Sequence, residues 1–370
     1  MKLCCFFNIN SHYRYPIYHE IDRSYDCDWY FGNSIFEKLK QFDPYLLKGF
    51  KKYLPAKKFL HGYFTWHSGA WSMLDNQYSA YLLTGTPDIF FNWIIIIYAK
   101  LFGKKLYCWG HGLKHEIIHP FWKLYFRLFY KSMDGIFMYN SRNCKFMEKL
   151  GCQTERLHVI YNSLDYDTQT AIYKLLSPSY IYNNYFGNSD PVIIYIGRIQ
   201  KRKKLDLLID AFNNLLSKGH KANLVIVGGS SDDETIHNMV IKYSIENRVW
   251  FYGPSFEEEK NAELLFNASV CVCPAEVGLT VIHALTYGTP TISNDNFETQ
   301  MPEFEAIVDG ITGSFYKENQ IDDLENEIMK WINISPSERE QVRFIARKTI
   351  ENCWNHHYQI QLIKKIIKNN

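Results

Sequence analysis

The chain has 370 residues, which is long for a single domain and predicts two lobes of ordinary size. Its net charge is only +2 and no nucleic-acid recognition module is recognisable, so the sequence argues against nucleic-acid binding. Basic residues are concentrated up to Tyr185 and acidic residues after it, so the two halves carry opposite charge.

The nine cysteines lack metal-ligand spacing, which favours reduced thiols in the cores and a cytoplasmic location. The N-terminal apolar run is too short for a signal peptide and is typical of a first strand. Residues 89–99 are strongly apolar but fall short of the ~20 residues that a membrane span needs. We therefore expect no transmembrane segment. The protein could still bind peripherally to the inner face of the cytoplasmic membrane.

Apolar runs in the first half predict a less regular α/β lobe. The predicted strands cover residues 3–8, 59–65, 88–91, 105–109, 135–139 and 157–161. Between them, residues 121–132 have helical periodicity, and a stripe of Trp122, Tyr125, Phe126 and Phe129 is expected to face the core.

A second stripe of the same helix carries Lys123, Arg127 and Lys131. With Lys114 and the basic run at residues 48–58, this stripe could rest on anionic lipid headgroups. The alternative is that these cations are solvated side chains of an ordinary surface helix.

The second half repeats a strand, turn and helix pattern, which predicts a parallel sheet. Strands are predicted at residues 192–196, 223–227, 249–252, 270–273 and 290–293. The helix after the first strand has apolar residues at helical spacing and ends at Gly219. Ser255 and Glu258 have the spacing of a capping box before another helix, and Ser335 and Glu338 begin a further helix.

Cations follow the first of these strands. Gly197 and Arg198 come directly after it, and Lys203 stands at the mouth of the next helix. Two cations there could hold a diphosphate, because charge-assisted hydrogen bonds are worth about 1.5–3 kcal/mol each and strengthen as a leaving diphosphate gains charge. Basic residues at strand ends are common, so this pattern alone is a weak indication.

A second polar group follows the fourth of these strands. Glu276 lies in a loop, and a helix is predicted to begin near Gly278 and to end at Gly288. The free backbone N–H groups of residues 278–280 would point at an anion, and the helix dipole would add a favourable contribution. Glu276 could accept hydrogen bonds from sugar hydroxyls, and His283 could face the same crevice.

Taken together, these segments resemble a retaining glycosyltransferase of the GT-B architecture, in family 4. The resemblance covers most of the second half, through Gly197-Arg198 with Lys203, residues 224–229 and 249–253, and the run from Pro274 through Met301-Pro-Glu-Phe-Glu305 to Gly313. The first half matches more loosely, through Trp109-Gly-His111-Gly and Tyr161-Asn-Ser-Leu-Asp165.

The second-lobe signature of that family is a glutamate, seven residues and another glutamate. Aligned on Gly278, His283 stands where the second glutamate, a ribose ligand, is usual, and Ala275 stands where the first is usual. Glu276 comes one place late. This departure is similar to a capsule or polysaccharide type branch of the family, in which a histidine takes the second position.

The resemblance implies a set of donor-binding residues. Arg198 and Lys203 would hold the donor diphosphate, Gly278, Leu279 and Thr280 would contact phosphate and sugar, and Glu276 would bind the transferred sugar. The remaining donor-binding residues of this expected set are Gly197, Gly229, Tyr252 and His283.

The resemblance extends to two residues of the first half. His111 resembles the histidine that approaches the donor sugar near the reacting carbon, although a histidine in such a turn is often structural. Arg14 occupies the place of the family's usual glycine-rich loop and is expected to face the cleft between the lobes.

No metal cofactor is expected, because Arg198, Lys203 and the helix terminus would supply the positive field that a divalent ion gives elsewhere. Asp26-Cys-Asp28 fits the letters of an Asp-X-Asp triplet, but it lies near the start of the chain and is expected at the surface. Retention is inferred from the family, and the sequence offers no obvious nucleophile. Attack on the same face as the departing diphosphate is therefore the favoured hypothesis.

The implied organisation is two Rossmann-like α/β lobes that face a cleft. The predicted parts are an acceptor lobe at 1–167, an interlobe connection at 168–190, a nucleotide-sugar donor lobe at 191–350, and a C-terminal helix at 351–370 that packs back on the N-terminal lobe.

The implied function is transfer of a hexose from a nucleotide sugar, expected to be UDP-linked, to a lipid-linked or oligosaccharide acceptor in surface polysaccharide assembly. Two alternatives stay open. The altered glutamate pattern permits a non-catalytic paralogue that binds a partner enzyme or a glycan. A nucleotide-sugar 2-epimerase has the same architecture but would need acid and base carboxylates in the cleft.

Overall fold

The computed structural model describes residues 1–33, 40–117, 119–229 and 233–368. The strands in these residues are β1 Lys2–Phe7, β2 Asp26–Asn33, β3 Phe50–Phe59, β4 Phe64–His67, β5 Ala80–Thr84, β6 Lys105–Gly110, β7 Gly135–Met138, β8 Leu157–Val159, β9 Val192–Ile196, β10 Asn223–Val227, β11 Val249–Gly253, β12 Val270–Val272, β13 Thr291–Asn294 and β14 Gly313–Tyr316.

The α-helices in the same residues are α1 Tyr15–Ser24, α2 Phe90–Leu101, α3 Pro120–Lys131, α4 Ser141–Leu150, α5 Tyr166–Tyr173, α6 Ile181–Phe186, α7 Leu205–Ser217, α8 Asp233–Lys242, α9 Glu258–Asn267, α10 Leu279–Thr286, α11 Ile321–Ile332, α12 Pro336–Cys353 and α13 His356–Lys368. Within the described residues, no helix is both long and apolar enough to cross a membrane.

The chain divides into two compact units. Unit 1 comprises Met1–Asp165 and Asn355–Asn370, and unit 2 comprises Tyr166–Trp354. The residues predicted as an interlobe connection belong to unit 2. There they pack on α9, since the Tyr182 hydroxyl donates to the Leu264 carbonyl at 2.6 Å and the Ser179 N–H donates to the Asn267 side chain at 2.9 Å.

Unit 1 is built on an eight-stranded sheet in the order β4-β3-β2-β1-β5-β6-β7-β8. Neighbouring strands are parallel except β3 and β4. Side chains of β1 alternate between two apolar cores, with Cys4 and Phe6 in one and Leu3, Cys5 and Phe7 in the other. Both faces of the central strands are therefore covered, as parallel sheets require.

The C-terminal helix α13 completes the second of these cores. Its Ile360, Ile363 and Ile367 are buried beside residues of α1. The amide of Gln359 anchors the helix further, because it accepts from Ser163 Oγ at 2.8 Å and donates to the Tyr161 carbonyl at 3.0 Å. The prediction that the C-terminal helix packs on the N-terminal lobe is confirmed.

Two strand predictions in unit 1 are wrong. Residues 59–65 contain a turn between β3 and β4, where Leu60 and His61 adopt left-handed φ angles of 48° and 55°. Residues 88–91 contain the start of α2, which begins at Phe90. In both places apolar and aromatic residues mimic a strand: Leu60 and Tyr63 are instead exposed in the turn, whereas Phe91 is buried by the helix.

Unit 2 contains a six-stranded, fully parallel sheet in the order β11-β10-β9-β12-β13-β14. The chain runs from β9 to β10 on one side, and β12 lies on the other side of β9. The strand order therefore reverses between β9 and β12, and open α/β sheets bind ligands outside the carboxyl ends of the strands at such a reversal.

The loops after β9 and β10 touch at this edge of the sheet. Gly228 has φ +150°, and a β-carbon on it would lie 1.8 Å from the carbonyl oxygen of Gly197. Only glycine fits there without moving the turn that carries Gly197 and Arg198.

We expect the substitution Gly228→Ala to lower the free energy of unfolding by about 3 kcal/mol, because overpacking and backbone strain add. The control is Gly219→Ala, which has a similar left-handed backbone (φ +86°) with nothing within 4 Å of the added carbon. Calorimetric melting of both variants measures the difference. Equal destabilisation by the two variants would contradict the close contact.

Candidate functional site

The predicted phosphate-binding residues of unit 2 meet at the carboxyl ends of β9 and β12. A small recess there is lined by Tyr195, Ile196, Gly197, Lys203, Cys273, Ala275, Glu276, Gly278 and Thr280. A larger cavity of about 520 Å³ lies elsewhere, beside Ile311, Trp331 and Val342, and it contains none of the predicted site residues. Of these two places, only the recess brings the predicted phosphate- and sugar-binding residues together, so it is the candidate site.

Lys203 and Glu276 are brought together in this recess. Lys203 Nζ lies 3.2 Å from Glu276 Oε1 and donates to the Glu276 backbone carbonyl at 3.0 Å. Arg202 Nη1 donates to the same Oε1 at 2.6 Å. The carboxylate of Glu276 therefore pairs with two cations and leaves one positive charge in excess, where the sequence interpretation assigned Glu276 to a sugar and Lys203 to a phosphate.

Sequence reasoning missed Arg202. It lies in a short 3-10 turn, Lys201–Lys203, just before the left-handed residue Lys204 and the start of α7. The run of four basic residues at 201–204 was the available signal, but only the fold shows that the guanidinium of Arg202 reaches Glu276, 74 positions later.

Arg198 presents a third positive charge at the same edge. Its backbone carbonyl accepts from Tyr195 Oη at 2.7 Å, which holds the turn after β9. Its side chain is exposed, and its guanidinium has no hydrogen-bond or ion-pair partner in the described part of the chain. The charge is therefore available to an anionic ligand.

The N-terminus of α10 faces the end of β9. Thr280 Oγ1 donates to the Ile196 carbonyl at 3.1 Å, and the Val277 N–H donates to Gln300 Oε1 at 2.8 Å. The first backbone bond of the helix runs from the Val281 N–H to the Gly278 carbonyl. Among the described residues no acceptor is recorded for the N–H groups of Gly278, Leu279 and Thr280, which suits an anion.

His283 is bound to a carboxylate of α9. Its Nε2 lies 2.9 Å from Glu258 Oε1, and the same oxygen accepts from Tyr287 Oη at 2.6 Å and from Gln169 Nε2 at 2.9 Å. Burial raises the pKa of Glu258, but hydrogen bonds from His283, Tyr287 and Gln169 outweigh it and lower that pKa to about 2. The predicted capping box is therefore wrong: Glu257 is the N-cap of α9, without a side-chain cap bond.

Gly229 and Tyr252 lie at the carboxyl ends of β10 and β11. A β-carbon on Gly229 would lie 2.9 Å from the ring of Pro254, so the backbone is packed closely there. Tyr252 is half-buried, with its ring 5.1 Å from that of Trp250. The fold thus places both residues on the same edge of the sheet as the recess.

In unit 1, Arg14 and His111 both lie against Tyr139. Arg14 donates to the hydroxyls of Tyr13, Tyr18 and Tyr139. The His111 ring lies 4.9 Å from the Tyr139 ring.

The imidazole of His111 is neutral near pH 7. Burial, with smaller contributions from the charges of Lys114 and Arg14, lowers its pKa to about 4. Its Nδ1 is buried and has no hydrogen-bond partner in the described residues.

Asp28 is not at the surface, which corrects the expectation for Asp26-Cys-Asp28. It is 3% exposed on β2, accepts from Tyr78 Oη at 2.8 Å, and pairs with Lys2 and Lys51. Only Asp26, at the start of the strand, is exposed. The two side chains share one face of the strand, so they differ by position along it: Asp26 lies at the exposed start, and Asp28 lies further in, where Tyr78 covers it.

Residues 183–349 match the family model of glycosyl transferases group 1. The chain is 26% identical over 179 residues to the capsular polysaccharide biosynthesis glycosyltransferase CapM of Staphylococcus aureus, a match that covers 45% of this chain and 42% of the relative. It is 35% identical over 119 residues to mannosylfructose-phosphate synthase of Agrobacterium fabrum, covering 29% of this chain and 26% of that protein. The match therefore spans less than half the length of either relative.

Solved structures resemble the chain over its whole length. The apo form of the lipopolysaccharide outer core galactosyltransferase WaaB has a TM-score of 0.72 at 18% identity, covering 100% of this chain and 99% of that one. Anabaena HepE in complex with UDP has a TM-score of 0.72 at 15% identity, covering 100% of both. These likenesses confirm the predicted α/β fold with two Rossmann-like lobes of GT-B type.

The depressed pKa of Glu258 predicts a pH-dependent stability. The charged carboxylate stabilises the fold above its ordinary pKa of 4.5, and this contribution is lost as the pH falls through about 2. The unfolding free energy of the native protein should exceed that of Glu258→Gln at pH 6, and the gap should shrink by about 2 kcal/mol at pH 3. Urea unfolding at both pH values measures it, with the exposed Glu259→Gln as control. A gap that does not change with pH would contradict the assignment.

Proposed function

We propose that this protein is a retaining, metal-independent glycosyltransferase that moves a hexose from a nucleotide sugar to a lipid-linked or oligosaccharide acceptor. The observation that carries the proposal is that Lys203 and the free amides of residues 278–280 meet at the strand-order reversal of unit 2, with the exposed Arg198 in the turn after β9. The match of residues 183–349 to the family model of glycosyl transferases group 1 supports glycosyl transfer as the class of reaction.

A diphosphate leaving group fits this arrangement. Cations and unpaired N–H groups stabilise the charge that develops as the bond between the sugar and the diphosphate breaks. We assign the stabilisation of this charge to Arg198, Lys203 and the N-terminus of α10, so that no metal ion is needed. UDP as the nucleotide is supported by the UDP complex of HepE, and a polysaccharide acceptor by the name of CapM.

The donor would have to compete with Glu276 for Lys203. The diphosphate of the donor would replace Glu276 as the partner of the Lys203 ammonium group, and Glu276 would then bind the hydroxyls of the transferred sugar. We assign His111 to that sugar as well, as a neutral imidazole that can bond a hydroxyl. Retention would follow from attack by the acceptor on the face that the diphosphate leaves.

The proposal predicts that Arg198→Ala and Lys203→Ala each lower turnover at least ~100-fold, because each removes a charge that is worth most in the transition state. Release of UDP and formation of glycosylated acceptor, measured over a panel of nucleotide sugars, test this. Lys221→Ala is the matched control, since Lys221 is exposed and lies just before β10, at the opposite edge of the sheet.

Unchanged turnover in both variants would refute the assignment of the site. Absence of turnover with every donor would favour a non-catalytic binding protein. Conversion of the donor sugar without glycosylation of an acceptor would favour an epimerase.

We also propose that α3 rests on an anionic membrane surface. Phe121, Leu124 and Leu128 are more than half exposed on this helix. Lys123, Arg127 and Lys131 are exposed beside them, without an ion-pair partner among the described residues. Apolar side chains flanked by unpaired cations suit the headgroup region of anionic lipids. This position would bring a cytoplasmic enzyme to a lipid-linked acceptor.

The triple variant of Lys123, Arg127 and Lys131 to Gln should weaken binding to phosphatidylglycerol vesicles about 100-fold at low salt, since each cation contributes about 1 kcal/mol. Co-sedimentation measures it. The control changes the exposed Lys221, Lys242 and Lys260 of unit 2 to Gln, which alters the net charge equally. If both triple variants bind the vesicles like the native protein, α3 does not contact the membrane.

A further inference from the structure

The carboxylate of Glu258 is held by one oxygen only. Oε1 accepts from His283, Tyr287 and Gln169, whereas Oε2 has no partner among the described residues. The side chain is 31% exposed, so Oε2 can be reached from solvent.

The position of Glu258 is that of a ligand-binding residue. It is the first residue of α9 and follows the loop after β11, at the carboxyl edge of the sheet in unit 2. Its partner His283 is one turn into α10, whose first amides face the recess. Both residues therefore belong to the edge where Lys203 and Arg198 lie.

The chemistry of Oε2 selects a ligand with hydroxyl groups. An ionised carboxylate only accepts hydrogen bonds, so an anion is excluded and a donor is required. Carboxylates at this edge of α/β sheets bind the adjacent hydroxyls of ribose, and three donors on Oε1 fix the angle at which Oε2 is presented. The low pKa of about 2 keeps the group charged at any working pH.

We propose that Glu258 binds the donor through a vicinal diol, with Oε2 as the acceptor and with His283, Tyr287 and Gln169 as positioning residues. This inference rests on the proposed function. His283 then acts through Glu258. The sequence signature lacks a carboxylate at position 283, and the carboxylate of Glu258 on α9 takes its place. The diol belongs either to the ribose of the nucleotide or to the transferred sugar.

Calorimetric titration of the full chain with UDP, 2′-deoxy-UDP, 3′-deoxy-UDP and UDP-glucose tests the proposal. If the ribose is bound, the native protein prefers UDP to a deoxy analogue about tenfold, and Glu258→Gln weakens UDP binding about tenfold and removes that preference. If the transferred sugar is bound, Glu258→Gln weakens UDP-glucose binding about tenfold and leaves UDP binding unchanged.

The preference is a ratio measured on one sample, so partial unfolding of the variant does not imitate it. Glu259→Gln, an exposed neighbour, should behave like the native protein. Native-like affinities of Glu258→Gln for all four ligands would overturn the inference while leaving the proposed function intact. Failure of the native protein to bind any of them would overturn both.

Discussion

Strand β9 pairs with β10 on one side and with β12 on the other. The position of the candidate site in unit 2 depends on this pairing. Because all three strands are parallel, their carboxyl ends meet at one edge, and their following loops leave in opposite directions. The recess between those loops is therefore a product of topology. Its residues come from positions as distant as Gly197 and Thr280, which the hydrogen bond from Thr280 to Ile196 holds in register.

Charge at this edge of the sheet is paired only in part. Arg202 and Lys203 share the single carboxylate of Glu276, while Arg198 stays open to solvent, so a net positive charge remains. The ion pairs hold the loops together, and the excess positive charge attracts an anion. Glu258 is likewise paired only in part, because three donors stabilise Oε1 and Oε2 is left for a ligand.

Sequence patterns predicted the regular parts of the molecule and missed what depends on distant contacts. The strands β9, β10 and β11 were readable because parallel strands buried on both faces are continuous apolar runs. Residues 59–65 and 88–91 were misjudged because the same composition fits a turn and the start of a helix. Lys203 and Glu276 could be named from local motifs, but their pairing, the contribution of Arg202 and the bond between His283 and Glu258 depend on how separate segments fold together.

The composition of unit 1 has a consequence for the order in which the protein acquires its structure. The chain leaves this unit at Asp165 and returns at Asn355, so Ile360, Ile363 and Ile367 reach its core only after the whole of unit 2 has been synthesised. Unit 2, by contrast, is continuous in sequence. The part of unit 1 that is made first therefore keeps an open apolar face until α13 has been made.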